Sequence, residues 1–155
     1  MTSLKACLTR FQGICEMLPY SLVALLCRWG VAVTFWRSGR TKVHGLFSIN
    51  QSTFDLFRDE YKVPVLPPEV AAVLATCSEH LFSALLVIGL ASRLSALALF
   101  GMTMVIQTFV YPENWPDHLL WIALLLSIVS KGPGVLSLDH LLGRLSVGTP
   151  IAIRE

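Results

Sequence analysis

The chain has 155 residues, the length of one domain, with 54% apolar residues, 14% charged residues and a net charge of +2. A soluble domain carries roughly 25% charged residues because its surface faces water, so this composition, with a mean hydropathy of +0.65, excludes a water-soluble globule. The small net charge and the lack of any basic run exclude nucleic acid as a partner.

Residues 1–17 are amphipathic, with Leu4, Leu8, Phe11, Cys15 and Leu18 at helical spacing, the pattern of a helix lying in a membrane interface. Lys5 and Arg10 precede the first apolar run, but Phe35, Trp36 and Arg37 follow it in place of a small-residue cleavage site, so no removable signal peptide is expected. Four apolar runs come next, over 18–36, 70–91, 94–111 and 115–130. None alternates with period two. In hydrocarbon only helices and closed barrels satisfy their own backbone, so the expected fold is all-α, an integral membrane bundle of four transmembrane helices with amphipathic interfacial helices. Pro19 opens the first run, where a missing N–H costs nothing. The fourth run is short for the roughly 20 residues of a span, but Trp115 and Lys131 anchor its ends. The four-span domain therefore covers 18–131, with 132–155 as a closing segment.

The connections carry further signals. Residues 37–68 form the one long loop, within which Ser52-Thr53-Phe54-Asp55 reads as a helix start, and Phe54, Phe57 and Tyr61 share a helical face. A short link at Ala91-Ser92-Arg93 makes the second and third helices antiparallel neighbours. Gly132-Pro133-Gly134 stops the fourth. Ser137 then caps a helix with Leu138, Leu141, Leu142 and Leu145 on one face, and a tail follows. Six basic residues lie on the side of the termini and five in the long loop, which by the positive-inside rule points to cytoplasmic termini. The cysteines, Cys7, Cys15, Cys27 and Cys77, form no CxxC pair and no zinc spacing, so they read as packing residues and no metal site is expected.

Ionisable groups in a bilayer cost at least a few kcal/mol each and usually face the bundle interior. Arg28 sits mid-way along the first span and Glu79 mid-way along the second, so antiparallel packing can bring them to one level. Thr76, Glu79, His80 and Ser83 form a polar stripe; Gln107, Tyr111, Trp115 and His118 gather at the end where the first helix leaves through Trp36. The set looks like the mouth of a pocket on the long-loop side. Two readings of Arg28 and Glu79 stay open, a clamp that fixes helix packing and a functional pair. His80 and His118 are satisfied histidines or, less favoured, axial ligands of a haem; Gln107 is helix glue or a ligand contact.

Several stretches resemble the DoxX family. Arg28-Trp-Gly30 through Trp36-Arg37-Ser38-Gly39-Arg-Thr-Lys42 is similar to its first helix and aromatic–Gly–Lys ending, which here reads Ser38-Gly39-Arg40-Thr41-Lys42. Glu79 with Gly89-Leu-Ala-Ser-Arg93 resembles its second-helix glutamate and turn, and Gly132-Pro-Gly134-Val-Leu-Ser137-Leu-Asp139 its closing motif. Pro64–Glu69 and Phe109–Pro112 resemble the branch encoded beside multinuclear iron modification enzymes. The resemblance covers about residues 20–145 and brings Lys42 into the candidate ligand set. It implies a four-helix bacterial inner-membrane protein, in some members a subunit of a quinone-reducing enzyme.

The leading expectation is a small membrane subunit of a redox system that binds a quinone-like lipid. Arg28 and Glu79 would handle protons there, Gln107 and His118 would bind a head-group carbonyl, and Trp36, Lys42, His80 and Tyr111 would complete the site. The alternative is a non-enzymatic anchor or accessory for a soluble redox or modification enzyme, or for an exported peptide. A small transporter is weaker, since no broken helix or inverted repeat is evident. Enzymatic activity, oligomeric state and substrate are not legible.

Overall fold

The computed structural model describes residues 7, 10–13, 16–45 and 48–146. Most of the amphipathic segment expected over 1–17, and the tail beyond 146, lie outside the described residues.

Four long helices dominate. Helix α1 runs Tyr20–Thr41, with Pro19 as its N-cap residue, and so extends five residues past the apolar run that signals it. A two-residue ribbon follows, β1 (Val43–His44) against β2 (Ser48–Ile49), antiparallel with Val43 opposite Ile49; strands this short leave no trace in hydrophobic periodicity. Helix α2, Gln51–Leu56, continues as a π turn over Phe57–Tyr61. It starts one residue before the expected Ser52, and its N-cap residue Asn50 makes no side-chain capping bond. Helix α3 spans Pro68–Ile88 and ends at Gly89 in the left-handed region. Helix α4 spans Ser92–Val105 and also ends in a π turn, Ile106–Val110. After a 3-10 turn at Pro112–Asn114, α5 runs Trp115–Lys131 and α6 Leu138–Ser146.

Helices α1, α3, α4 and α5 pack in a ring, each against two neighbours in the order α1–α3–α4–α5–α1. The interior combines Val31, Phe35, Leu86, Leu99, Leu125 and Ile128 with many small residues, among them Ala24, Ala32, Ala72, Ala96, Ser83, Ser92 and Ser95. The outer surface carries more large apolar side chains than the interior does. Leu22, Leu26 and Val33 on α1, Val73, Leu74 and Leu81 on α3, Leu94 and Leu97 on α4, and Leu119, Leu120 and Leu126 on α5 are all exposed. Small residues inside with leucines outside is the arrangement of helices that associate in lipid, where close backbone approach rather than apolar burial drives packing. Among the described residues two helices, Pro68–Ile88 and Ser92–Val110, are long and apolar enough to cross a membrane by length and composition.

The closing motif ties one end of the bundle together. The Asp139 carboxylate accepts from the backbone N–H of Ala91 at 2.7 Å and of Ser92 at 2.8 Å, capping α4. Ser137 accepts from His140 N–H at 3.2 Å and so caps α6. Tyr20 donates to the Gly132 carbonyl at 2.8 Å. Gly134 sits so close to α1 that a Cβ there would lie 2.9 Å from Ser21 Cα, at φ +77°, which leaves room only for glycine.

Candidate functional site

Arg28 and Glu79 do not form the pair that their central positions suggest. Helices α1 and α3 are antiparallel, and the register sets Ser38 beside Glu79 and Arg28 beside Leu86. At 1.5 Å per residue, the seven residues from Glu79 to Leu86 put the two charges ~10 Å apart along the bundle. Arg28, fully buried, donates to the Leu86 carbonyl at 3.0 Å and to the Leu136 carbonyl of the closing motif. It answers an unpaired carbonyl near the C-terminus of α3, where a cation is favoured, and pins the closing segment to the bundle. Gly89 makes room for it, since a Cβ there would lie 2.2 Å from the guanidinium. Both open readings require an Arg28–Glu79 pair, which is absent; Arg28 instead links α1 to α3 and the closing segment.

The partner of Glu79 is Lys42. The extra turn of α1 carries the lysine around so that Nζ lies 2.9 Å from Glu79 Oε1, with both side chains almost fully buried. Lys42 Nζ also donates to Ser38 Oγ at 2.8 Å and to the Ser38 carbonyl at 3.2 Å, and Ser38 Oγ donates to the same Glu79 oxygen at 2.9 Å. The lysine backbone is held in turn by Thr53, which donates to its carbonyl at 2.9 Å. Close approach of the helices makes this possible. A Cβ on Gly39 would lie 2.8 Å from the His80 ring and 3.2 Å from Glu79 Cβ. The second oxygen, Glu79 Oε2, is buried with no hydrogen-bond partner.

Lys42, Ser38 and Glu79 belong to the wall of a cavity of about 380 Å³, within the range of small-molecule sites. Helices α3, α4 and α5 supply Ala75, Met102, Ile106 and Trp121, and the long loop supplies Phe57, Tyr61 and Leu66. His118, 2% exposed, is also in the wall. The rest of the wall is mostly apolar, with Thr34, Ser78, Asn114 and the two tyrosines Tyr61 and Tyr111 as its other polar groups. Two π turns, which often mark functional sites, flank the cavity and meet through Tyr61 and Tyr111, whose rings pack edge to face at 5.5 Å. Tyr111 donates to Glu60 at 2.7 Å, and that bond holds its hydroxyl well above the ordinary phenol range; burial pushes Tyr61 up as well.

The other expected site residues divide. Tyr111 and His118 line the cavity. Gln107 stands behind His118, donating to the Pro112 carbonyl at 2.8 Å while its own oxygen meets His118 Nδ1 at 2.6 Å. His80 and Trp36 are outside the wall and pack on each other edge to face at 5.1 Å. His80 Nδ1 is bonded to the Thr76 carbonyl at 2.8 Å and its Nε2 has no partner. The two histidines therefore do not share a site, which removes the geometry for a bis-histidine haem. Among the described residues no cluster of three or more His, Cys, Asp or Glu could hold a metal ion. Residue-level reading missed Ser38 and Thr53; the signal was Gly39, which marks where α1 and α3 come closest.

Comparison with known proteins agrees with this architecture at the level of family. A protein of Haemophilus influenzae described as uncharacterized is 29% identical over 131 residues, covering 78% of this chain and 83% of that protein. No solved structure matches. The DoxX family model matches residues 23–112, more than half of the chain and the stretch that holds Arg28, Lys42 and Glu79, so the chain belongs to the DoxX family of membrane proteins.

Proposed function

We propose that the protein is a four-span inner-membrane component of a redox system, and that its cavity takes a lipid with a quinone-class head group. The observation that carries this reading is the combination of an apolar cavity with one buried, half-satisfied carboxylate in its wall. Small-molecule sites are mostly apolar with a few placed polar groups that orient the ligand, and an amphipathic ring with a polyprenyl or alkyl tail meets both demands. The polar floor is Lys42–Glu79–Ser38 in place of Arg28–Glu79. His118, steadied by Gln107, faces the head group from α5, and Tyr61 and Tyr111 rim the mouth.

All four long helices cross the bilayer in this reading. Helix α1 carries Arg28 but buries it, and α5 is 17 residues long with Trp115 and Lys131 at its ends. Both present exposed leucines outward, as α3 and α4 do. The termini are cytoplasmic and the cavity opens on the opposite side. The test is to purify the protein in mild detergent, extract and identify co-purifying lipids, and titrate it with a decyl-substituted benzoquinone while following thermal stability. Retention of a quinone or a saturable rise in Tm supports the proposal; no bound quinone and no shift with the analogue in either its oxidised or its reduced form rejects it.

A second reading, an anchor for a soluble partner enzyme, draws on α6, whose Leu141, Leu142 and Leu145 remain exposed beside Arg144. A Glu79→Gln variant separates the two. An anchor that still folds keeps its partner and phenotype, whereas a ligand site centred on Glu79 changes its affinity for the analogue.

A further inference from the structure

Hydrogen-bond accounting at the polar floor of the cavity fixes which form of head group it suits. An ammonium has three protons and no acceptor. Those of Lys42 are all in use, on Ser38 O, Ser38 Oγ and Glu79 Oε1. The single hydroxyl proton of Ser38 goes to the same Glu79 oxygen. Every donor on this floor is thus consumed internally, and the atom left over, Glu79 Oε2, is an acceptor.

His118 reaches the same state by a different route. Gln107 Nε2 donates to the Pro112 carbonyl, which can only accept, so the amide orientation is fixed and its oxygen faces the imidazole. His118 Nδ1 therefore carries the proton, and in the neutral ring Nε2 keeps the lone pair. Thr34, a further wall residue, spends its hydroxyl proton on the Gly30 carbonyl at 3.1 Å. The hydroxyls of Ser78 and Tyr61 and the side-chain amide of Asn114, at the rim of the wall, can either donate or accept and do not discriminate.

From this accounting we infer that the cavity selects a head group that donates hydrogen bonds, a dihydroxy aromatic of the hydroquinone class, over the oxidised dicarbonyl form of the same molecule. A hydroxyl satisfies the orphan carboxylate oxygen; a quinone carbonyl would set acceptor against acceptor and leave Glu79 Oε2 unpaired. The inference rests on the reading of the cavity as a quinone-class site and adds the redox state that it prefers.

The test uses the purified full chain in mild detergent under anaerobic conditions. Three probes are titrated and followed by calorimetry, namely decyl-benzohydroquinone, decyl-benzoquinone and the di-O-methyl ether of the hydroquinone, which keeps shape and tail but has no O–H. The hydroquinone is expected to bind about tenfold tighter or more than either of the others, the factor that one hydrogen bond to a charged group supplies. Equal binding of hydroquinone and ether, or tighter binding of the quinone, overturns the inference while leaving a quinone-class site in place. No binding of any of the three overturns that site as well. In Glu79→Gln, where the amide adds a donor, the preference for the hydroquinone should fall towards unity; a preference that persists at full strength assigns it to another group and overturns the role of Glu79. The comparison on the unaltered protein stands even if that variant fails to fold.

Discussion

Lys42 and Glu79 each depend on the other. Both are buried, and a buried charge that loses its partner is left uncompensated, at a cost of about 3–5 kcal/mol. We expect Lys42→Met and Glu79→Leu to destabilise the protein by that order, and the double variant Lys42→Met/Glu79→Leu to be more stable than either single one. Denaturant titration in detergent reads the cycle; strict additivity would show that the two side chains do not interact. Arg28 makes a different demand. Its guanidinium bridges two carbonyls, Leu86 and Leu136, in a fork that the point charge of lysine does not reproduce. Arg28→Lys should therefore cost stability, on the order of 1–3 kcal/mol, while leaving ligand binding at the far end of the bundle unchanged. Loss of binding with full stability would contradict the clamp. The apolar runs locate Arg28 and Glu79 as interior groups but leave Lys42 in the long loop. They do not set the pairing, because pairing depends on helix register and on how far α1 continues past its apolar run, and neither is written in hydropathy.

At the scale of elements, the closing motif behaves as an external cap. Asp139 satisfies two of the orphan N–H groups at the start of α4 from 47 and 48 residues away in sequence. Asp139→Ala should lower stability by about 1–2 kcal/mol, the usual value of a lost cap, and speed amide exchange at Ala91 and Ser92; unchanged exchange there would count against the cap. The second element is the loop helix α2, packed through Phe57 onto Ala71 and Ala72 of α3 and held to the α4 end by the Tyr111–Glu60 bond. Tyr111→Phe removes that bond at a partly exposed position, so global stability should change by no more than about 1 kcal/mol. Exchange across 51–61 should nonetheless rise, and an unchanged rate would mean that the bond does not hold the loop. The helices were legible because their apolar runs are long and bounded by Pro19, Pro67-Pro68, Gly89 and Gly132-Pro133-Gly134. The π turns and the two-residue ribbon were not, since each is defined by a shifted hydrogen bond or a bridge pair and not by a change of composition.

For the molecule as a whole, the inverted distribution of side chains decides the environment. Exposed leucines encircle the ring of helices, while its interior holds alanines, serines and a buried ion pair beside a few large apolar side chains, and water would not support that surface. In a cysteine-free background, Val65→Cys in the long loop and Lys131→Cys at the end of α5 should react with a membrane-impermeant maleimide from opposite sides, Val65→Cys from the outside. Labelling of both from one side would contradict four spans. The central claim, that the cavity beside Lys42 and Glu79 is a ligand site, is tested most directly by filling it. Ala75 lies in its wall, and Ala75→Phe places a ring in the space assigned to the head group. Thermal titration of this variant beside the unaltered protein, with the same decyl-benzohydroquinone, should show a folded variant whose Tm no longer responds, whereas an equal ligand-induced rise in both proteins would contradict the account.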